Sequence, residues 1–313
     1  MKSILVVVTT LVICGELILR NIVGLGSPPL YVTHPTIEYM LKPNQDVSRF
    51  GNHIFVNEYS MRSASIEEIG DIPRTLVLGD SVINGGNQTS HSALATSILS
   101  DNNRFYGNVS AGSWGPKNLL AWLNEYGFLK ADTLIFVLNS HDLTDIPTFQ
   151  ELNKNTHPTK KPLTATTELI ERYLIPRLLR IVNKRGSDAR LQINTASSDT
   201  DEGAGGINDL IAMAKKGYVK VCLVQHVTQT ELDKGLDPNF FVLKDIFEGW
   251  GLPVINDFED LQSLIQTNEM PFRDDIHPNL LGQQVLARKI SECQVLAKLP
   301  QIENIIKLEK IDG

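Results

Sequence analysis

The 313-residue chain contains only three cysteines, too few for the disulfide framework of a small secreted domain. Cys14 lies in an apolar N-terminal run, Cys222 in the apolar run 219–224, and Cys293 in a predicted C-terminal helix. Free cysteines usually behave as small apolar residues that pack in the interior. We therefore predict no disulfide framework and expect all three cysteines to be buried in apolar surroundings.

Clusters of basic residues are also missing. The chain has 29 Lys and Arg against 36 Asp and Glu, which gives a formal net charge of -7. A surface that binds nucleic-acid phosphates needs clustered Lys and Arg, so we exclude a nucleic-acid partner. Histidines and carboxylates do not occur at metal-ligand spacing, and no glycine-rich phosphate loop is present. We therefore expect no metal and no other cofactor.

Residues 1–23 have the composition of a targeting segment. Lys2 precedes the apolar run 4–13, and apolar residues resume at 17–19 after Glu16. A positive charge followed by about ten apolar residues is typical of a signal sequence, whereas a full membrane span needs about 20. Because no clear Ala-x-Ala-like cleavage site follows, we favour an uncleaved signal anchor over a cleaved signal peptide. The catalytic part would then be exported and would face the periplasm or the extracellular space, either membrane-anchored or secreted.

The alternative for this segment is a buried N-terminal helix of a cytosolic enzyme. After it, residues 24–72 lack helical periodicity and contain four prolines, including Pro28–Pro29. Residues 52–57 alternate between polar and apolar, which predicts one strand of a hairpin. We therefore assign residues 24–72 to an N-terminal extension.

From residue 74 onward, strand and helix patterns alternate along the chain. A helical stretch such as 117–129 presents apolar residues on one face. This alternation predicts an α/β fold, in which helices cover both sides of a parallel sheet. The predicted domain spans residues 73–298 and is followed by a C-terminal tail, 299–313. Its strand-like runs are 75–79, 104–109, 133–138, 219–224 and 253–256.

A long insertion, residues 145–205, separates the third and fourth predicted strands. It contains a helical stretch, Leu163–Asn183, interrupted by Pro176, and the polar run 196–206, which has the composition of a flexible linker. A loop of this length usually carries function, so its helix is a lid or an element that faces a membrane or a partner. An anionic polymer or solvent would face its basic residues, which are Arg172, Arg177, Arg180, Lys184 and Arg185.

Two motifs carry the residue types needed for serine acyl transfer. Ser81 follows Gly79-Asp80 at the end of an apolar strand, and Asp274 precedes His277 by three positions. A serine hydroxyl is a poor nucleophile until an imidazole accepts its proton, and a carboxylate must orient that imidazole. Ser81, His277 and Asp274 fit these roles. Taken alone, each motif has a simpler interpretation, as a tight turn or as the cap of the helix that begins near Asn279.

Together, the motifs resemble those of the SGNH/GDSL hydrolase family, over roughly residues 74–297. Residues 79–81 match the first block of that family, 108–112 look like the second, and 274–277 are similar to the fifth. The resemblance implies a flavodoxin-like, three-layer α/β/α fold with a central five-stranded parallel sheet. It also implies a serine nucleophile and a histidine base at the positions that we named above.

The resemblance further implies an oxyanion hole formed by the backbone N–H groups of Ser81 and Gly112 and by an asparagine of the third block. The family usually has Gly-x-Asn-Asp there, whereas this chain has Asn139-Ser140-His141-Asp142. Strict alignment places His141 at the asparagine position, and an imidazole N–H can donate to an oxyanion as an amide does. The side-chain donor is therefore either Asn139 or His141, and both stay open.

The resemblance favours a serine esterase that acts on an acylated carbohydrate or another ester. We expect the removal of O-acetyl groups from an extracellular or envelope polysaccharide. Two alternatives remain, namely a polysaccharide O-acetyltransferase and a non-catalytic polysaccharide-binding or assembly protein with the same fold. Trp114 is a candidate either for stacking on a sugar ring or for packing against the following helix.

Overall fold

The computed structural model describes residues 2–183 and 196–301 of the chain. Four strands form two antiparallel hairpins within the predicted N-terminal extension: β1 (Tyr31–His34) with β2 (Glu38–Leu41), and β3 (Gln45–Arg49) with β4 (Asn52–Val56). Five strands form one parallel sheet: β5 (Arg74–Gly79), β6 (Phe105–Ser110), β7 (Thr133–Leu138), β8 (Lys220–Gln225) and β9 (Val254–Asn256), in the order β6-β5-β7-β8-β9.

Helices connect these strands and cover the sheet. The α-helices are α1 (Lys2–Ile18), α2 (Ser81–Asn84), α3 (Ala95–Leu99), α4 (Pro116–Tyr126), α5 (Ala165–Glu168), α6 (Ile175–Asn183), α7 (Ala196–Lys216), α8 (Gln229–Lys234), α9 (Pro238–Gly249), α10 (Phe258–Gln266) and α11 (Leu280–Leu296). Shorter 3₁₀ turns lie at Gly86–Gln88, His91–Ala93 and Ser140–Thr144, and π-helical turns lie at Leu19–Val23 and Leu169–Leu174.

The two faces of the parallel sheet carry separate apolar layers. Every residue of β5, β6 and β7 is buried, as expected for parallel strands that are covered on both sides. Leu76 and Leu78 pack with residues of α4, α7 and α9, whereas the intervening Val77 packs with residues of α3 and α11. The predicted α/β/α architecture is therefore confirmed, and each predicted strand of the sheet lies within one residue of the observed one.

The N-terminal helix leaves the rest of the protein with its apolar side chains exposed. Lys2–Val23 form a helical path of 22 residues that is long and apolar enough to cross a membrane. Its side chains are unburied, and Ile4 and Leu11 are 69% and 67% exposed. The helix is therefore not buried within the described part of the protein, as that alternative would require. The exposed helix is compatible with a signal anchor or a signal peptide.

The predicted flexible linker at 196–206 is instead the first half of α7. Its glycines allow close packing rather than flexibility. A β-carbon at position 203 would lie 2.1 Å from the carbonyl oxygen of Leu143, and one at 206 would lie 3.1 Å from Pro116. Composition therefore misled the prediction, because close approach between backbones also selects glycine.

The basic residues Lys184 and Arg185 of the insertion lie outside the described residues.

Pro176 does not interrupt the helix of the insertion. Residues 165–183 follow one continuous helical path, in which the π-helical turn Leu169–Leu174 immediately precedes α6. A proline inside a helix lacks an N–H donor, and its ring clashes with the carbonyl four residues earlier. The wider π turn accommodates that missing hydrogen bond without ending the helix.

The expectation for the cysteines was wrong in two respects. Cys222 on β8 and Cys293 on α11 are both fully buried, but they form a disulfide with a Cα–Cα distance of 5.7 Å. Cys14 is exposed on the N-terminal helix. The pairing arises because Cys222 points to the sheet face that α11 covers. Sequence spacing gave no sign of it, since 71 residues separate the two cysteines.

We expect the Cys222→Ala/Cys293→Ala variant to lose about 2–5 kcal/mol of unfolding free energy, because the disulfide restricts a long loop of the unfolded chain. Denaturant unfolding followed by circular dichroism measures this loss. Cys14→Ala is the matched control and should unfold like the wild type, since that residue is exposed and unpaired. Equal midpoints for the double variant and the control would contradict the stabilising role of the disulfide.

Candidate active site

Ser81 is the first residue of α2, directly after the tight turn that ends β5. The turn needs glycine at position 79, because a β-carbon there would lie 2.5 Å from the carbonyl oxygen of Val137 on the neighbouring strand. Asp80 caps the helix, and its carboxylate accepts the backbone N–H of Val82 at 2.8 Å. This geometry presents the Ser81 side chain at the carboxyl edge of the sheet, where ligands bind in folds of this class.

His277 lies in the loop that precedes α11, and Asp274 closes that loop. One carboxylate oxygen of Asp274 accepts the backbone N–H groups of Ile276 and His277, at 3.1 and 2.9 Å. The N–H of Arg273 donates to the carbonyl of His277 at 2.8 Å. Asn279 caps α11 by accepting two backbone N–H groups. The helix-cap interpretation of Asp274 and His277 is therefore unnecessary.

The structure brings Ser81, His277 and Asp274 into one hydrogen-bonded row. The Ser81 Oγ lies 2.9 Å from His277 Nε2, and His277 Nδ1 lies 2.8 Å from Asp274 Oδ2. Because a carboxylate only accepts, Nδ1 carries the proton and Nε2 is free to accept the serine O–H. This is the tautomer that a general base for a serine hydroxyl requires.

Asp274 stays ionised although it is partly desolvated. Burial tends to raise its pKa, but hydrogen bonds from the backbone and ring of His277 outweigh burial and lower the pKa below its usual range. The side chain keeps 54% of its surface exposed, and the His277 side chain keeps 31%. The row of three residues therefore lies in an open site rather than in a closed cavity.

The other predicted site residues follow neighbouring strand ends. Gly79 pairs in register with Ser110 on one side and Val137 on the other, so the turns after β5, β6 and β7 begin at one edge of the sheet. Gly112 lies in the turn after β6, and its carbonyl accepts the hydroxyl of Tyr39. Apart from Gly112 and its two chain neighbours, no described residue has an atom within 4 Å of the position that a β-carbon of Gly112 would occupy.

Asn139 and His141 have different surroundings in the turn after β7. The Asn139 amide is buried and donates to Asp142 at 3.0 Å and to Asp80 at 3.3 Å, while its oxygen accepts the N–H of His141. His141 is exposed, and its ring has no hydrogen-bond partner among the described residues. The asparagine side chain therefore holds the turn, whereas the histidine ring is free to contact a ligand.

Three carboxyl groups lie behind the serine. Burial raises the pKa of Asp80, and burial together with the charge of Asp80 raises that of Asp142 well above its usual range. The same two causes raise the pKa of Asp145 to about 6. The Asn139 amide bridges Asp80 and Asp142, so shared hydrogen bonds between buried groups hold this loop together.

Sequence reasoning missed a second histidine and aspartate pair. His226 Nδ1 lies 2.5 Å from Asp257 Oδ2, and both side chains are buried. His226 Nε2 donates to the carbonyl of Ile276 at 2.8 Å, next to His277. Burial acts to lower the pKa of His226, but the Asp257 carboxylate outweighs it, so the pKa is raised. The available signal was position, since His226 and Asp257 directly follow the ends of β8 and β9.

Trp114 is unavailable for stacking on a sugar ring. Its side chain is 2% exposed, and its indole N–H donates to the carbonyl of Tyr39 at 2.9 Å. It packs in the apolar layer that includes α4. Of the two interpretations of this residue, packing is the one that the structure supports.

Neither a protein-family model nor a curated protein matches the chain, but solved structures similar to it exist. A member of the lipolytic G-D-S-L family from Veillonella parvula DSM 2008 is 13% identical, with 70% of this chain and 96% of that chain covered and a TM-score of 0.40. The lipase/acylhydrolase from Enterococcus faecalis is 15% identical, with 74% and 100% covered and a TM-score of 0.44.

A two-domain esterase active on acetylated mannans is also similar to this chain. It is 13% identical, with 75% of this chain and 54% of that chain covered and a TM-score of 0.43. At these identities and TM-scores, the similarities carry no argument about activity or substrate.

We predict that the His226–Asp257 pair makes stability depend on pH. Because the folded state raises the pKa of His226 above its unfolded value of about 6.5, the contribution of the pair is fully present below that pH. It is lost as the pH rises through the folded-state pKa. Urea unfolding of the wild type between pH 6 and pH 9 should therefore give a falling unfolding free energy.

A double variant, His226→Gln/Asp257→Asn, removes both charges and leaves no unpaired buried ion. Its unfolding free energy should fall less steeply over the same pH range. The matched control is His53→Gln, which removes a histidine paired with Asp46 at the surface and should keep the wild-type slope. A double variant with the full wild-type slope would show that the buried pair is not the cause.

Proposed function

We propose that the protein is a serine hydrolase of ester bonds, with Ser81 as nucleophile, His277 as general base and Asp274 as the residue that orients the imidazole. The observation that carries this proposal is the hydrogen-bonded row of these three side chains, contributed by segments 196 residues apart at the carboxyl edge of a parallel sheet. Residues that only cap a helix or stabilise a turn do not require a serine hydroxyl hydrogen-bonded to the unprotonated nitrogen of an imidazole.

In the proposed reaction, Ser81 Oγ attacks the ester carbonyl while its proton passes to His277 Nε2. The tetrahedral intermediate collapses, the C–O bond to the alcohol breaks, and His277 returns the proton to the leaving alcohol oxygen. Water then attacks the acyl-serine and gives a proton to His277; the bond between the acyl carbon and Ser81 Oγ breaks, His277 returns the proton to Oγ, and the acid leaves. Asp274 remains a carboxylate throughout and stabilises the imidazolium, in agreement with its lowered pKa.

The proposed oxyanion donors are the backbone N–H groups of Ser81 and Gly112 and the ring N–H of His141. Asn139 was the alternative side-chain donor. Both amide hydrogens of Asn139 have carboxylate acceptors close by, in Asp142 and Asp80, and the side chain is buried. The exposed ring of His141 has no such partner among the described residues. We therefore favour His141.

As substrate, we propose an O-acetyl ester on an extracellular or envelope polysaccharide. The exposure of His277 and Asp274 supports this choice, because an open site admits a small acyl group carried on a bulky polymer. An exported location is supported by the exposed N-terminal helix and by the disulfide, which persists in oxidising compartments. The same acyl-serine could pass its acetyl group to a sugar hydroxyl instead of water, which would make the protein an O-acetyltransferase.

We expect a serine-directed phosphonate to label the wild type and not Ser81→Ala. We also expect the wild type, and not the variant, to release acetate from a panel of acetylated glycans. Ser263→Ala is the control, because it removes an exposed hydroxyl of α10 and should keep both properties. Labelling without acetate release, combined with acetyl transfer to an added oligosaccharide, would indicate a transferase. If the phosphonate does not label the wild type, the result favours the alternative of a non-catalytic polysaccharide-binding or assembly protein.

We predict that His141→Ala lowers kcat about 10²–10³-fold with little change in stability, because it removes one donor to the oxyanion from an exposed position. His141→Asn should recover much of the lost rate, since an amide N–H donates similarly. Asn139→Ala should instead lower the unfolding free energy, because buried carboxyls lose their partner. Steady-state kinetics on a soluble acetyl ester and denaturant unfolding separate the two effects. Wild-type turnover in His141→Ala would assign the donor elsewhere.

A further inference from the structure

The helix of the insertion has an apolar face that the described part of the protein leaves uncovered. We call residues 165–183 the insertion helix; it comprises α5, the π turn Leu169–Leu174 and α6. Large apolar side chains recur along it at helical spacing, and a soluble protein rarely exposes so many on one short element. Their exposed fractions are 43% for Ile170, 45% for Leu174, 44% for Ile175, 61% for Leu178 and 55% for Leu179.

Positive charge accompanies this apolar face in an otherwise acidic protein. Residues 151–180 contain six Lys and Arg against three Glu, whereas the whole chain has more acidic than basic residues. One of the three, Glu168, is fully buried against Arg49 and so adds no negative charge to the surface. An apolar helical face with basic residues beside it is the composition of helices that lie in the interface of a membrane with anionic lipids.

The insertion helix begins beside the N-terminal helix. Glu16 of that helix accepts the backbone N–H groups of Ala165 and Thr166, at 2.8 and 2.9 Å, and so satisfies the first donors of the insertion helix. Glu16 also pairs with Arg20. Glu16, the charged residue that interrupts the apolar run of the N-terminal helix, is therefore the residue that holds the insertion helix next to it.

A second attachment fixes the insertion helix one turn further along. Glu168 accepts the backbone N–H of Gly26 at 2.6 Å and forms a buried ion pair with Arg49. Arg49 also donates to the hydroxyl of Tyr173 at 2.8 Å. These contacts tie the start of the insertion helix to the segment that follows the N-terminal helix. If the N-terminal helix spans a bilayer, the insertion helix begins near the membrane surface at which the chain leaves the bilayer.

Three basic residues line a cavity beside the insertion helix. It has a volume of 360 Å³, and its lining includes Lys154, Lys160 and Arg172 together with Pro28, which follows the N-terminal helix closely in sequence. Lys154 and Lys160 are exposed. Glu171 is the one acidic residue of the lining. A concave basic surface next to an apolar helical face fits the phosphate and the acyl region of a phospholipid, respectively.

We propose that the insertion helix is a second membrane-contact element, which lies in the headgroup region of a bilayer containing anionic phospholipids, next to the N-terminal helix. Ile170, Leu174 and Leu178 would enter the acyl boundary, and Lys154 and Lys160 would contact lipid phosphates. This surface is separate from the row formed by Ser81, His277 and Asp274, so the proposal does not depend on the proposed catalytic activity. Its role is to fix the distance and orientation of the exported domain relative to the membrane.

The test uses the full chain in vesicles, with a nitroxide label on a single cysteine. Cys14→Ala removes the free cysteine, and the disulfide protects the other two, so Leu178→Cys gives one labelling site. Tyr218→Cys is the control, because Tyr218 is 83% exposed. It precedes β8 at the amino-terminal end of the parallel strands, whereas the insertion leaves the sheet at the carboxyl end of β7. The vesicles contain phosphatidylcholine with phosphatidylglycerol, or phosphatidylcholine alone. Paramagnetic resonance then measures the access of lipid-soluble oxygen and of a water-soluble nickel chelate to each label.

In vesicles with phosphatidylglycerol, we expect the label at 178 to be accessible to oxygen and protected from nickel, and the label at 218 to show the reverse. Replacing Lys154 and Lys160 with Gln should lower the ratio of immersed to exposed label at 178 by about fivefold per lysine. Nickel access at 178 equal to that at 218 in both vesicles would overturn the proposal. Protection at 178 from both reagents would overturn it in favour of a protein partner or a second copy of the chain.

Discussion

The hydrogen bond between Ser81 and His277 depends on one loop being held in place from two sides. Within the loop, the Asp274 carboxylate accepts hydrogen bonds from two backbone N–H groups and from the ring of His277. From the sheet, the buried His226 binds the carbonyl of Ile276. Because His226 is itself fixed by Asp257, the position of the candidate base is set by groups that follow the last two strands. The sheet therefore positions both partners of the hydrogen bond, although they are distant in sequence.

The N-terminal segments and the start of the insertion helix form a second connected unit. The hairpin that carries Arg49, the start of the insertion helix at Glu168 and the end of the N-terminal helix near Gly26 share one buried ion pair and its hydrogen bonds. A buried ion pair contributes little net stability, but loss of Glu168 would leave the fully buried Arg49 without a carboxylate partner. The arrangement therefore favours a single geometry for three segments that are distant in sequence.

Much of the fold and of the candidate site follows from local sequence patterns. Apolar runs located the five parallel strands within a residue, and turn motifs at their ends indicated where Ser81, Gly112 and His141 would lie. What could not be predicted depends on contacts between distant segments. The pairing of Cys222 with Cys293 and the tethering of Ile276 by His226 are of this kind. The helix at 196–206 was missed because glycine marks close packing as well as flexibility.

The contact between Gly203 and the carbonyl of Leu143 joins α7 to the turn that follows β7. Leu143 lies in the 3₁₀ turn that carries His141, and Gly203 lies in the helix by which the chain returns from the insertion to the sheet. With no β-carbon between them, the two backbones touch directly, so that neither can shift without displacing the other. A displacement of the returning helix would thus be transmitted to the turn at the rim of the site, through two backbones rather than through a flexible side chain.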